Sequence, residues 1–237
     1  MNRPVVRHCL SRLDGMVSLR GESFSCKLDR KASPDRFPSE SRMNNELFRL
    51  FNVGMTASMN AIDARRRGDM AAGRQFDLSA LDAFDKALAI DSQYVSALSG
   101  KGLTLAQLGR TTEAIRIFQQ ALTLEPNHPE NLHQLGLCFA QLGNMPSARE
   151  ALLRSVQLEE RVEFRRNVTI EVYNFGGHLM RLASERQKAG DHEAARRYYH
   201  HATGVFGLVL DLDRENPRAT QALGVAEQCL RMLTDGL

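Results

Sequence analysis

The chain has 237 residues, 43% of them hydrophobic, with 31 Lys and Arg against 28 Asp and Glu for a net charge of +3. That length can bury a large core, and apolar content rich in Ala and Leu suits helix packed on helix. No apolar run approaches the roughly 18 residues that cross a bilayer. The four cysteines, Cys9, Cys26, Cys138 and Cys229, form neither a CxxC pair nor a disulfide framework, which points to a reducing compartment.

Residues 1–42 hold nine Lys or Arg and five Asp or Glu, a net of +4, so the remainder carries −1. A near-neutral remainder without a basic stripe argues against nucleic acid as the partner. The start itself reads as a disordered basic tail, because Ser33-Pro34, Phe37-Pro38-Ser39 and scattered charges leave no periodic apolar face. Two alternatives stay open. Residues 1–20 carry Arg3, Arg7, Arg12 and Arg20 with Val6, Leu10, Leu13 and Val17 at helical spacing, which resembles a mitochondrial targeting peptide, and Met43 is an alternative first residue.

From Met43 onward one pattern recurs. Its first, weaker copy, about 54–94, has Ala57, Ala61, Ala64 and Gly68-Asp69 as a helix and turn, then Ala80, Phe84, Ala87 and Asp91 as a second helix, with about seven extra residues placed in Met70 to Asp77. The next two copies, about 95–128 and 129–162, are offset by 34 residues: Gly102 maps onto Gly136, Leu105 onto Phe139, Leu108-Gly109 onto Leu142-Gly143, Ala114 onto Ala148 and Phe118 onto Leu152. A fourth, about 176–217, keeps Gly190-Asp191, Ala195, Tyr199 and Ala202 after a slip of about 13 residues absorbed by Glu163 to Phe175. That slip reads as a first helix lengthened to about Val168 to Lys188, and Ala219 to Leu233 reads as a capping helix over 218–234.

Each recurring residue has a physical role. Gly102 and Gly136 leave room where two helices touch, as do Ala114 and Ala148 on the partner helix, and larger residues there would overpack. Gly109 and Gly143 suit the left-handed position that ends a helix, Thr111 suits a helix cap, and Pro126 stops a helix. A fixed period of this length, carried by small and apolar residues, defines stacked helix-turn-helix units.

The pattern Leu98, Gly102, Leu105, Ala114, Phe118, Ala121 and Pro126, repeated as Leu132, Gly136, Phe139, Ala148 and Leu152, resembles the tetratricopeptide repeat (TPR), with Lys101, Leu105 and the absence of Trp as departures. The resemblance covers about Asn44 to Leu237. It implies an all-α fold: a right-handed α-solenoid of about four repeats in a domain spanning 43–237, with a carboxy-terminal capping helix. It also implies a concave face lined by the first helix of each repeat. By helical phase that face takes Ser58, Ile62, Arg66, Ser96, Ser99, Leu103, Gln107, His133, Leu137, Gln141 and Met180, with Ile62, Leu103 and Leu137 as an apolar row. Some family members grip a terminal carboxylate with Lys, Asn and Arg at concave positions; here Ser99, Leu103, Gln134 and Leu137 stand in that region, so that grip is not expected.

Catalytic patterns do not emerge. His128, His133, His192, His200 and His201 match no HExxH or Cys/His cluster, and Gly176-Gly177 lacks the strand and Lys of a phosphate loop. No catalytic residue, metal or cofactor is expected, although His178, Glu185, His192 and Tyr199 share the least regular part. The sequence therefore predicts a cytoplasmic, non-enzymatic adaptor or scaffold, without membrane insertion, that holds an extended or helical amphipathic segment of another protein in its concave groove. A dedicated chaperone for an apolar client segment and a self-associating module, with oligomers then expected, are the alternatives. Residues 1–20 as a targeting peptide would make the location mitochondrial.

Overall fold

Four glycines turn the chain. Gly68, Gly109, Gly143 and Gly190 have φ between 77° and 84°, the left-handed conformation that side chains resist. The residue after each glycine donates its N–H back five positions, as in Arg110 to the Leu105 carbonyl at 2.9 Å and Asn144 to the Phe139 carbonyl at 2.9 Å. The next helix then starts at once. Asp69, Asn144 and Asp191 cap it by accepting the N–H of Ala72, Ser147 and Ala194 through their side chains. At the second turn the expected cap is displaced: Arg110 holds the cap position without a side-chain bond, and Thr111 is the first helical residue. The Thr111 hydroxyl instead donates to Gln141 Oε1 at 3.1 Å, tying adjacent repeats.

The computed structural model describes residues 38–235, with side chains over 43–233. Residues 1–37, which hold most of the expected amino-terminal tail, all of the 1–20 segment, Cys9 and Cys26, lie outside the described residues. Among the described residues there are nine helices and no strand: α1 (Pro38–Arg66), α2 (Met70–Ile90), α3 (Val95–Gln107), α4 (Thr111–Leu124), α5 (Pro129–Gln141), α6 (Met145–Leu158), α7 (Val162–Lys188), α8 (His192–Leu212) and α9 (Pro217–Asp235). None is long and apolar enough to cross a membrane. Consecutive helices pair as hairpins α1/α2, α3/α4, α5/α6 and α7/α8, each packs on the next, and α9 covers the last. The result is an all-α solenoid of four hairpins with a cap, and its core is a series of layers rather than one centre. Phe51, Phe84 and Ala97 fill the layer between hairpins 1 and 2; Leu105, Phe118, Leu135 and Cys138 fill the next. Leu152, Val168, Phe206 and Leu208 fill the third, and Ala183, Tyr199 and Leu233 seat the cap.

One contact recurs in every hairpin. A Cβ on Gly102 would stand 2.7 Å from the Phe118 ring, and one on Gly136 2.7 Å from Leu152, as expected. The outer hairpins repeat it at positions the sequence spacing hides: Gly54 lies against Phe84, and Gly176 against Phe206. The hiding has a simple cause. Fourteen residues separate Gly54 from its turn glycine Gly68 and Gly176 from Gly190, against seven from Gly102 to Gly109 and from Gly136 to Gly143. The second helices are lengthened by the same seven, Gly68 to Phe84 being sixteen residues and Gly109 to Phe118 nine. Seven residues make almost two turns, so each insertion lengthens a helix while leaving its packing face in phase.

Two expectations are refined accordingly. The seven extra residues placed in Met70 to Asp77 are there, as helix at the start of α2, and α1 carries a further seven. Glu163 to Phe175, read as the absorber of a slip, belongs to α7, which starts at Val162 rather than near Val168.

Adjacent glycines in α7 provide a test. Gly176→Ala should lower stability by about 1–3 kcal/mol through the clash with Phe206. Gly177 faces open space, so Gly177→Ala should raise stability by about 0.5–1 kcal/mol through helix propensity. Urea unfolding followed by far-UV circular dichroism reads both.

Candidate partner-binding surface

The expected concave residues sit on α1, α3, α5 and α7. Ser58, Ile62, Ser96, Ser99, Leu103, Gln107, Leu137 and Met180 are half-buried, and Arg66 and Gln141 are exposed. Two members of the apolar row also reach into the core: Leu103 touches the layer around Leu105 and Phe118, and Leu137 the layer around Leu152 and Val168. His133 is buried at 4% exposure. Its ring meets Phe164 edge-on at 5.9 Å, and its Nε2 lies 3.0 Å from Glu171 Oε2, because the lengthened amino-terminal part of α7 lies over it. The expected lining is therefore covered beside α7, at His133.

Ile62, Arg66 and Gln107 meet, together with Arg65, around a hollow of about 480 Å³. Arg65 organises this corner. Its Nη1 donates to Gln107 Oε1 at 3.3 Å, and its Nη2 pairs with Asp77 Oδ2, a carboxylate with no exposure. Gly73 makes the pair reachable, since a Cβ there would stand 2.8 Å from Arg65 Cγ. One guanidinium thus joins α1, α2 and α3. Neither Arg65 nor Asp77 emerges from the sequence; the available signal was an acid on an otherwise apolar helix face with an Arg twelve positions earlier.

A second hollow, of about 360 Å³, opens on hairpin 4 beside Arg186, Asp191, Ala194, Arg197, Tyr198 and His201. His201 Nε2 lies 2.7 Å from the Ala140 carbonyl at the end of α5, fixing this wall to hairpin 3. Tyr199 is buried, its hydroxyl donates to Gln187 Oε1 at 3.0 Å, and burial followed by the Cys229 sulfur pushes its pKa up to about 12. His178, Glu185 and His192 are exposed. No group of three or more His, Cys, Asp or Glu gathers as metal ligands among the described residues. Burial pushes the Cys138 thiol up to about 11, so it packs as a small hydrophobe.

These hairpins, turns and glycine contacts define a helical-repeat protein. Tetratricopeptide repeat family models match residues 58–131 and 105–159, so the stretch 58–159 belongs to the tetratricopeptide repeat family. No curated protein matches it. Solved structures similar to it include a MamA protein at 21% identity, covering 78% of this chain and 85% of that one with a TM-score of 0.40. MamA residues 41-end from Desulfovibrio magneticus RS-1 is 17% identical over 77% of this chain and 90% of that one, with a TM-score of 0.43. YrrB, described as a TPR protein with an unusual peptide-binding site, is 22% identical over 75% and 87%, with a TM-score of 0.38.

Two outcomes follow. Asp77→Ala strands Arg65 in a partly buried site and should cost about 3 kcal/mol in urea unfolding. Cys138 should resist iodoacetamide at pH 8 in the folded chain and react readily in urea, read by mass spectrometry of its peptide.

Proposed function

We propose that the array is a non-enzymatic adaptor or scaffold holding a segment of a partner protein along the concave face of α1, α3 and α5. The repeats belong to a family that generally mediates protein–protein interaction. The observation that carries the finer reading is the meeting of Ile62, Arg66 and Gln107 around one open hollow. Half-buried Ser58, Ser96 and Ser99 keep the rest of this lining low, leaving space for a backbone or a helix to lie close. The apolar row and small polar flanks suit an amphipathic segment, extended or helical. The free thiols Cys138 and Cys229 accord with a reducing compartment such as the cytoplasm.

Self-association is the second reading, favoured by the outer side of hairpin 1, which no other described helix covers. There Leu50, Val53 and Leu78 line a hollow of about 460 Å³, with Val53 46% and Leu78 44% exposed.

Ser58→Arg with Ser99→Arg fills the groove with bulk and charge while leaving the core layers intact. Partner yield in quantitative affinity capture should fall about tenfold or more, a loss of about 1.4 kcal/mol in binding, with the circular dichroism spectrum unchanged. Equal recovery of the same partners would reject the groove.

A further inference from the structure

The doubled spacing in the outer hairpins shapes the edge of the solenoid where all four turns lie. Successive helices alternate direction and every hairpin points the same way, so the turns at Gly68, Gly109, Gly143 and Gly190 share one edge. Lys101 pairs with Asp85, which fixes the level of α3 against α2. From that level α3 climbs seven residues to its carboxy-terminal cap Leu108, while α2 extends fifteen residues back to Met70. Hairpin 1 therefore overtops the second turn by eight residues, about 12 Å. At the other side Met145, the first residue of α6, lies 3.1 Å from where a Gly204 Cβ would be. α8 begins twelve residues earlier, at His192, so hairpin 4 overtops the third turn by about 18 Å. The two short hairpins between them form a floor about 20 Å wide, two helix diameters.

Both hollows described above lie at inner corners of this notch: the one beside Arg65 and Gln107 where hairpin 1 overtops α3, and the one beside Arg197 and His201 where hairpin 4 overtops α5. Its walls are braced. Arg65 ties wall and floor through Asp77 and Gln107, and Arg196 Nη2 donates to the Leu233 carbonyl at 3.0 Å, backing hairpin 4 with α9. The floor exposes an apolar side chain, Leu142, at 54%.

Charge separates along the same line. The turn edge, residues 62–77, 106–113, 141–149 and 181–201, carries a net +4, whereas the rest of 43–237 carries −5. Arg66, Arg110 and Arg197 have partners on their own or the next turn, exposed pairs of the kind worth little and readily exchanged.

We propose that the turn-edge notch is a second docking surface, which takes an acidic amphipathic helix of a partner protein. The notch is at least as deep as a helix about 10–12 Å across and wide enough to admit one against either wall. The helix sets its apolar stripe on Leu142 and its carboxylates against Arg186 and Arg197. This rests on the reading of the array as a protein-binding module; the notch meets the groove of Ser58 and Ser99 at the Arg65–Gln107 corner and is told apart from it by Leu142, Arg186 and Arg197.

The test uses the full chain and a fluorescein-labelled, helix-stabilised 18-residue peptide with Glu on one face and Leu on the other. A Lys/Leu peptide of the same pattern and a 20-base-pair DNA duplex serve as controls. Anisotropy should show the Glu/Leu peptide binding, weakening several-fold between about 50 and 300 mM salt, with neither control competing. Arg186→Glu with Arg197→Glu, both exposed positions that leave the fold intact, should raise Kd at least tenfold, as should Leu142→Asp. Amide shifts on titration should concentrate at Gly109, Arg110, Leu142 and Gly143. Ser58→Arg with Ser99→Arg should bind the peptide like the parent chain. The notch fails if the peptide does not bind, if the notch variants bind it unchanged, or if the shifts fall on Ser99 and Leu103. Equal binding of the DNA with the same shifts overturns the protein-helix assignment, and dimerisation abolished by the notch variants in sedimentation assigns the surface to a second copy. Loss of peptide binding in the groove variant alone would leave the groove standing and remove the notch.

Discussion

The contact between a glycine on the first helix of each hairpin and a large side chain on the second sets the geometry of the whole array. Gly54 with Phe84, Gly102 with Phe118, Gly136 with Leu152 and Gly176 with Phe206 bring paired backbones closer than any Cβ would allow. Because the ring or isobutyl group sits where the glycine lacks a side chain, it fixes both the separation of the helices and their register along the axis. Phe84 does this twice, held between Gly54 of its own hairpin and Gly100 of the next, where a Cβ would stand 2.6 Å away. Intra-hairpin packing and hairpin stacking thus share an atom group, which makes the stack cooperative between neighbours.

Length was added around this contact without disturbing it. Seven residues in each helix of the outer hairpins raise the tips by about two turns, so the residues beyond the core are free of the stacking requirement. New demands appear there instead. A hairpin tip without a neighbour on both sides needs its own bracing, supplied by the Arg65–Asp77 pair at one end and by Tyr199 with α9 at the other. Gly73 is the local signature of the first brace, a gap in α2 through which the Arg65 stem lies. A separate extension at the other end, Val162 to Gly176 being fourteen residues against seven from Val95 to Gly102, carries α7 over His133.

Repeats of this family generally act through interaction surfaces. The Cys138 thiol is held protonated by its apolar surroundings, and Tyr199 is engaged with Gln187. What varies along the surface is relief and charge: a shallow concave lining of Ser, Ile, Leu and Gln, and a positive turn edge opposed to a negative remainder.

The period of 34, the turn glycines and the helix–helix contacts of the two middle repeats were legible from residues alone. They depend on local backbone geometry and on side-chain volume, which a residue carries wherever it sits. The outer repeats were legible only in fragments. A two-turn insertion keeps helical phase but doubles the spacing between marker residues, so Gly54 and Gly176 lost their place in the alignment though their packing role is the same. Thr111 was assigned a cap because its type suits one; the handedness of the turn put Arg110 there instead. Which concave side chains are open, buried or paired was decided by tertiary structure. Leu103, His133 and Gln107 share a helical face in sequence, and only the height and tilt of the neighbouring hairpin determine that one touches the core, one lies under α7 and one meets Arg65.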